Sequence, residues 1–153
     1  MAEPSTSPSG AAAPWQAQLQ AQRLAQLQAM TQAELQALVL EMTTAERLPR
    51  LSLHFRRHGH EFRAQTPQEY ETLFLAHIRR PYLYRFTFLD RETTDTLWYL
   101  IEMGSGDIAI YNETRRRAWS FLRSPHIQSL LGGTHGYWVE LVRTPTDWEV
   151  RPW

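Results

Sequence analysis

The stretch TPQEYETLFLAHIRRPYLYRFTFL, residues 66–89, changes its hydrophobic period at Pro81. Before the proline, Thr66 and Glu69 form a helix-capping pair, and apolar residues recur every three or four positions. After the proline, the residues of Tyr82–Leu89 alternate as in a β-strand. The stretch therefore predicts a helix that ends before Pro81 and a strand that follows it.

The remainder of the chain continues the strand pattern in short apolar runs separated by turn residues. The predicted strands are Trp98–Met103, Ile108–Tyr111, Ala118–Leu122, Tyr137–Arg143 and Trp148–Arg151. Helices therefore come first and an antiparallel β-sheet meander follows, so we predict the α+β fold class.

The N-terminal part of the chain divides by composition. Residues 1–14 are small and polar, and we expect them to form a disordered lead. Residues 15–42 are rich in Ala, Gln and Leu without Gly or Pro, which predicts a helical segment. We assign residues 43–153 to one α+β domain.

Capping patterns divide the helical regions further. Thr31 with Glu34 predicts two helices in the N-terminal segment, and Thr43 with Glu46 predicts the start of another. Gly59 is typical of a helix C-terminus, so we expect a helix to end there.

Composition excludes several classes of function. The 16 basic and 16 acidic residues cancel, so charge alone does not indicate a polyanionic partner. The absence of cysteine excludes disulfides, thiolate zinc sites and a cysteine nucleophile, and the absence of lysine excludes a lysine P-loop. No apolar run is long enough to cross a bilayer and no secretory signal is present, so we expect a cytoplasmic protein with no membrane partner.

The densest polar cluster is HFRRHGHEF, residues 54–62. On a helix, His54 and His58 lie one turn apart, with Arg57 on an adjoining face. Two imidazoles and a guanidinium can hold a phosphate and move protons near neutral pH. The alternative is a solvated helix face with one buried histidine. Because the HExxH pattern is missing, we expect no metal and no other cofactor.

A second basic patch contains Arg115, Arg116, Arg117 and Arg123 near the aromatic residue Tyr111. Arginines interleaved with aromatic residues can bind phosphates and stack on bases, so Arg117, Arg123 and Tyr111 are candidate substrate-binding residues. The alternative is an ordinary solvated turn.

The run HFRRHGHEF followed by TPQEYE resembles the core of toxin-type nuclease domains, found in polymorphic, contact-dependent-inhibition and phage toxins. These domains belong to the barnase–EndoU–colicin–RelE-like superfamily of metal-independent ribonucleases. The segment RRAWSFLRSP is similar to the end of their sheet and places Ser120 at a hydroxyl position. The resemblance covers about Leu51 to Pro125. It departs from the family pattern where Arg57 replaces lysine, Arg63 replaces glycine and Ser120 replaces threonine.

The resemblance implies an endoribonuclease that cleaves RNA by attack of the 2′-hydroxyl on the adjacent phosphate. With the spacing of the histidines, it identifies His58 as the main proton-transfer group and His54 as its partner. Arg57, Ser120 and Arg123 would hold the scissile phosphate.

Two other functions fit the same sequence. A catalytically inactive member of the fold would bind nucleic acid or protein, and a structural or assembly protein would associate through its Gln-rich helices. RNA is the expected partner of the endoribonuclease. Two further partners are compatible with the sequence: a cognate inhibitor protein, and a second copy of the chain bound through the N-terminal helices.

Overall fold

A computed structural model of the chain describes five segments. They are residues 14–80, 84–89, 95–115, 118–124 and 138–152. Residues 1–13 of the predicted lead lie outside the described residues, and so does Arg117.

Helices come first in the described part of the chain. They are α1 (Pro14–Gln28), α2 (Gln32–Thr43), α3 (Leu51–His58), a 3₁₀ turn (Gly59–Phe62) and α4 (Pro67–Ile78). The predicted break between α1 and α2 is confirmed, and Thr31 and Glu34 form a reciprocal capping box at the start of α2. The predicted cap of α4 is also confirmed, because the Thr66 hydroxyl accepts from the Glu69 N–H at 3.1 Å.

Two predictions about helix ends need correction. Thr43 does not begin a helix: it is the last residue of α2, and its hydroxyl donates to the Val39 carbonyl at 2.8 Å. Helix α3 does end at Gly59, but the glycine keeps a right-handed conformation, and the left-handed residue is Arg63 with φ 56°. Glycine fits at position 59 because the Phe55 ring packs close to it, and a Cβ atom there would lie only 2.6 Å from that ring.

The strands form one antiparallel sheet, which confirms the α+β class with helices before strands. They are β1 (Tyr84–Leu89), β2 (Thr96–Glu102), β3 (Asp107–Asn112), β4 (Ala118–Arg123), β5 (Trp138–Arg143) and β6 (Trp148–Pro152). The described sheet has six strands in the order β4-β3-β2-β1-β5-β6. The first four strands are a meander, whereas β5 pairs with the other side of β1. Strand β4 is therefore an edge strand of the described sheet.

The main hydrophobic core joins the helices to one face of the sheet. Tyr70, Phe74 and Ile78 of α4 are fully buried with Trp98 of β2 and Phe121 of β4. The core also includes residues of α1 and α2, namely Leu27, Leu35, Val39 and Met42. The N-terminal helices thus share one core with the rest of the described chain.

Helix α2 also caps the far edge of the sheet by hydrogen bonds. The Gln32 amide donates to the Trp148 carbonyl at 2.8 Å and accepts from the Trp148 N–H at 2.7 Å. Gln36 accepts from the Trp148 indole at 2.9 Å. These Gln side chains therefore bind the edge of the sheet.

Candidate functional site

A cleft of about 510 Å³ lies between α3 and the outer edge of β4. Its walls come from α3 and the two residues before it, from Arg115 after β3, and from the first half of β4. The lining residues are Pro49, Arg50, Leu53, His54, Arg57, Arg115, Ala118, Trp119 and Ser120. We call it the basic cleft.

Local helix geometry places the basic side chains. Arg50 precedes α3 in a left-handed conformation, with φ 55°. His54 follows four residues later, which is about one turn, and Arg57 three residues after that. Positions with this spacing share a helix face, so Arg50, His54 and Arg57 reach the same cleft.

The opposite wall is the outer edge of β4, where backbone groups alternate between β3 and the outside. The outward Phe121 carbonyl accepts from the Tyr70 hydroxyl, and the outward Arg123 N–H donates to Glu61 Oε1 at 2.8 Å. Burial raises the pKa of Tyr70, so its hydroxyl stays a donor. Trp119 is the next outward residue of β4, and its main-chain N–H and carbonyl lie on the cleft side of the strand.

The basic cleft has a strong excess of positive charge. Arg50, Arg57 and Arg115 line it, and no carboxylate does so among the described residues. Arg115 lies 3.5 Å from Asp95 outside the cleft and is largely exposed. Guanidinium groups bind phosphate oxygens in a bidentate manner, so the cleft suits a phosphate group.

His54, which lines the basic cleft, has a pKa below the ordinary histidine value. Partial burial lowers its pKa below the ordinary value, and the nearby charges of His58, Arg57 and Arg50 lower it further. The imidazole is therefore neutral near pH 7. A neutral imidazole can accept a proton, and this is the state that a general base requires.

The structure brings three of the four predicted catalytic residues to one place: His54, Arg57 and Ser120 all line the basic cleft. Trp119 and Phe121 face the helices, so alternation along β4 directs the Ser120 side chain to the other face of the sheet. Ser120 therefore lines the cleft at the edge of β4 with its side chain directed away from the helices.

His58 is not among the residues that line the cleft. Its Nδ1 lies 2.9 Å from Glu61 Oε2, and the other oxygen of Glu61 accepts from the Arg123 N–H. His58 and Glu61 thus connect α3, the 3₁₀ turn and β4 in one hydrogen-bonded clasp.

Two of the three predicted substrate-binding residues, Arg123 and Tyr111, also lie outside the cleft. Arg123 pairs with Asp107, with Nε 2.5 Å from Oδ1, and this hydrogen bond raises the pKa of Arg123. Its guanidinium lies over the Phe62 ring at 5.0 Å. Tyr111 is buried and its hydroxyl donates to Glu41 at 2.5 Å.

Two basic residues of the cleft, Arg50 and Arg115, are not in the predicted site. Arg50 precedes His54 by four residues, and this spacing could have identified it. Arg115 belongs to the basic patch noted in the sequence, but only the fold shows that it faces α3.

The described part of the chain contains neither a metal-binding cluster nor a membrane-spanning helix. Among the described residues, no group of three or more His, Asp or Glu side chains is placed to hold a metal ion. None of the helices within the described ranges is both long enough and apolar enough to cross a membrane.

Comparison of the chain with protein-family models, with curated proteins and with solved structures finds no match.

Proposed function

We propose that the protein is a metal-independent endoribonuclease of the toxin type, which acts on RNA in the cytoplasm of a bacterial cell. The observation that carries this proposal is the basic cleft, where a neutral imidazole lies among three arginines and no carboxylate is among the described lining residues. The left-handed backbone at Arg63 adds support, because the toxin nuclease domains have glycine at that position.

In the proposed reaction, His54 removes the proton of the RNA 2′-hydroxyl, and the 2′-oxygen then attacks the adjacent phosphorus. The bond from phosphorus to the 5′-oxygen breaks, and that oxygen takes up a proton from protonated His54 or from water. The products are a 2′,3′-cyclic phosphate and a free 5′-hydroxyl. DNA lacks the 2′-hydroxyl and cannot react in this way.

Arg57 and Arg50 stabilise the negative charge that grows on the phosphate oxygens during attack. Preorganised donors that face developing charge contribute about 10²–10³-fold each to a rate. The outward N–H of Trp119 is a further donor on the opposite wall.

A second candidate function is binding of RNA without cleavage. It is favoured by the fact that His54 is the one imidazole that lines the cleft in the described part of the chain. Arginine is a poor proton donor, so the cleft residues described supply one proton-transfer group where two are usual.

The test incubates the full chain with an RNA oligonucleotide and with its 2′-deoxy counterpart in excess EDTA. We expect both to bind and the RNA alone to be cut, with a 2′,3′-cyclic phosphate end. Binding of both without cleavage would favour the second candidate. If neither oligonucleotide binds, both candidates are wrong.

A further inference from the structure

Tyr70 of α4 contacts the elements that form both walls of the basic cleft. Its ring meets the Phe55 ring of α3 edge to face, with the ring centroids 6.2 Å apart. On the other side, the Tyr70 ring lies 5.6 Å from the Phe121 ring of β4, and the Tyr70 hydroxyl donates to the Phe121 carbonyl. Tyr70 is fully buried, so it fills the space between α3 and β4 as a spacer.

The contact of Tyr70 with α3 is closely packed. Phe55 directly follows the cleft residue His54 in the chain. The Phe55 ring also packs so close to Gly59 that a Cβ atom there would lie 2.6 Å from it. Because a close-packed interior transmits displacements, a movement of Tyr70 relative to α3 would reach the backbone that carries His54.

The contact of Tyr70 with β4 is a buried hydrogen bond. Burial raises the pKa of Tyr70, and the Glu61 carboxylate raises it further, so the hydroxyl remains a donor. Phe121 is also buried, and a buried carbonyl that loses its donor is unfavourable, so β4 would have to move to regain one. Trp119 lines the basic cleft two residues earlier in β4, and it would move with the strand.

We propose that Tyr70 is a positioning residue of the basic cleft, which sets the distance between α3 and β4 and so holds Trp119 opposite His54. This inference rests on the proposed endoribonuclease function. A misplacement of about 1 Å far from the reacting atoms can lower a rate by about 10²-fold. Arg50 and Arg57 belong to the α3 wall and can bind a phosphate without β4, so a displaced β4 should affect the rate more than the affinity.

The test is Tyr70→Phe, which removes the hydroxyl and keeps the ring. We expect kcat for RNA cleavage to fall by about tenfold to hundredfold, while the affinity for the 2′-deoxy oligonucleotide stays within about twofold. Ile78→Val is the matched control, because it also removes one heavy atom from a fully buried residue of α4. This control should keep the wild-type kcat. Both variants are measured at a temperature at which circular dichroism shows them to be folded.

The outcomes separate the inference from the proposed function. If Tyr70→Phe keeps the wild-type kcat, if Ile78→Val loses as much, or if affinity falls together with kcat, the positioning role is wrong and the proposed function stands. If the wild-type protein does not cleave RNA, the proposed function fails, and ¹⁵N–¹H spectra then decide the role of Tyr70. Tyr70→Phe should shift the Trp119 backbone amide signal and Ile78→Val should not. An unmoved signal in Tyr70→Phe would overturn the inference.

A second variant covers the case in which Tyr70→Phe does not fold. Phe55→Leu removes the ring that meets Tyr70 from the α3 side, but it leaves the hydrogen bond to Phe121 in place. Phe55 is only partly buried, so we expect the protein to tolerate this change. The same loss of kcat with retained affinity is expected, and a wild-type kcat in Phe55→Leu would show that Tyr70 does not act as a spacer.

Discussion

His54 and His58 lie one turn apart on the same short helix, yet they have different surroundings. His54 faces Arg57 and Arg50 in an open cleft, whereas His58 faces the Glu61 carboxylate at 2.9 Å. Sequence spacing places both imidazoles on one helix face, but the neighbouring elements decide what each one contacts. The comparison teaches that a residue pattern identifies a helix face, and that packing assigns the role of each residue on it.

The same difference divides strand β4. Its second half is fixed by hydrogen bonds, because the Tyr70 hydroxyl donates to the Phe121 carbonyl and the Glu61 carboxylate accepts from the Arg123 N–H. Its first half faces the basic cleft. The second half of β4 is therefore held in place by the helices, whereas the first half borders the open cleft.

The largest expected effect is on the rate of RNA cleavage. His54→Ala should lower the rate by about 10²–10⁴-fold, because it removes a general acid–base group. His58→Ala, the matched control one turn away, should retain most of the activity. Initial rates on one RNA substrate measure both variants, and a larger loss in His58→Ala would reverse the assignment.

The pH dependence of the rate tests the same assignment. The pKa of His54 is lowered by burial, so its neutral form dominates above the ordinary value of 6.5. The wild-type rate should therefore rise with pH to a midpoint below 6.5 and remain level to pH 8. A midpoint above 6.5 would contradict His54 as the base.

A smaller effect is expected from loss of the phosphate ligand Arg57. Arg57→Ala should weaken binding of a 2′-deoxy oligonucleotide by about tenfold, because a charge-assisted hydrogen bond contributes about 1.5–3 kcal/mol when well formed and less on a solvated surface. Arg56→Ala is the matched control, since Arg56 is exposed and does not line the cleft. Equal losses in the two variants would indicate a diffuse charge effect instead of a site.

The clasp predicts a change in stability. Glu61→Ala should lower the free energy of unfolding by about 1–2 kcal/mol, since it removes the acceptor of the Arg123 N–H and the partner of His58. Glu61→Gln should recover part of this loss because the amide oxygen can still accept from Arg123.

Urea denaturation measures the change, with the exposed Glu46→Ala as a control. A loss of the same size in Glu46→Ala would show that the clasp contributes nothing specific.

Local signals explain how far the sequence could predict this structure. The helix starts at Thr31 and Thr66 depend on residues three positions away, and both were predicted correctly. Thr43 with Glu46 has the same spacing, but packing of Met42 in the core continues α2 through Thr43. Short-range capping signals therefore hold only where tertiary packing does not oppose them.

The candidate site was harder to predict because its partners are distant in sequence. The pairing of Arg123 with Asp107 depends on the register of β3 with β4. The contact of Tyr111 with Glu41 depends on how α2 packs on the sheet, and the two residues are 70 positions apart. Spacing on α3 was sufficient to group His54 with Arg57, but it could not show that His58 faces Glu61.

His77 of α4 is a third histidine to compare, and it lies inside the core. Its substitution is expected to have the smallest effect, a change in how stability depends on pH. Its Nε2 lies 2.8 Å from the Leu100 carbonyl oxygen, so this nitrogen donates, and its buried Nδ1 has no partner among the described residues. Burial lowers the pKa of His77, although the Leu100 carbonyl and nearby Asp107 oppose the shift. The unfolded chain therefore binds a proton more readily than the folded protein.

Stability should consequently be highest above the ordinary histidine pKa of 6.5 and should fall as the pH decreases below it. One such proton accounts for a slope of at most about 1.4 kcal/mol per pH unit. His77→Gln keeps a donor for the Leu100 carbonyl but cannot ionise, so its free energy of unfolding should depend less on pH between 7 and 5. The exposed His60→Gln should keep the wild-type slope, and a slope unchanged in His77→Gln would show that the core histidine does not govern acid sensitivity.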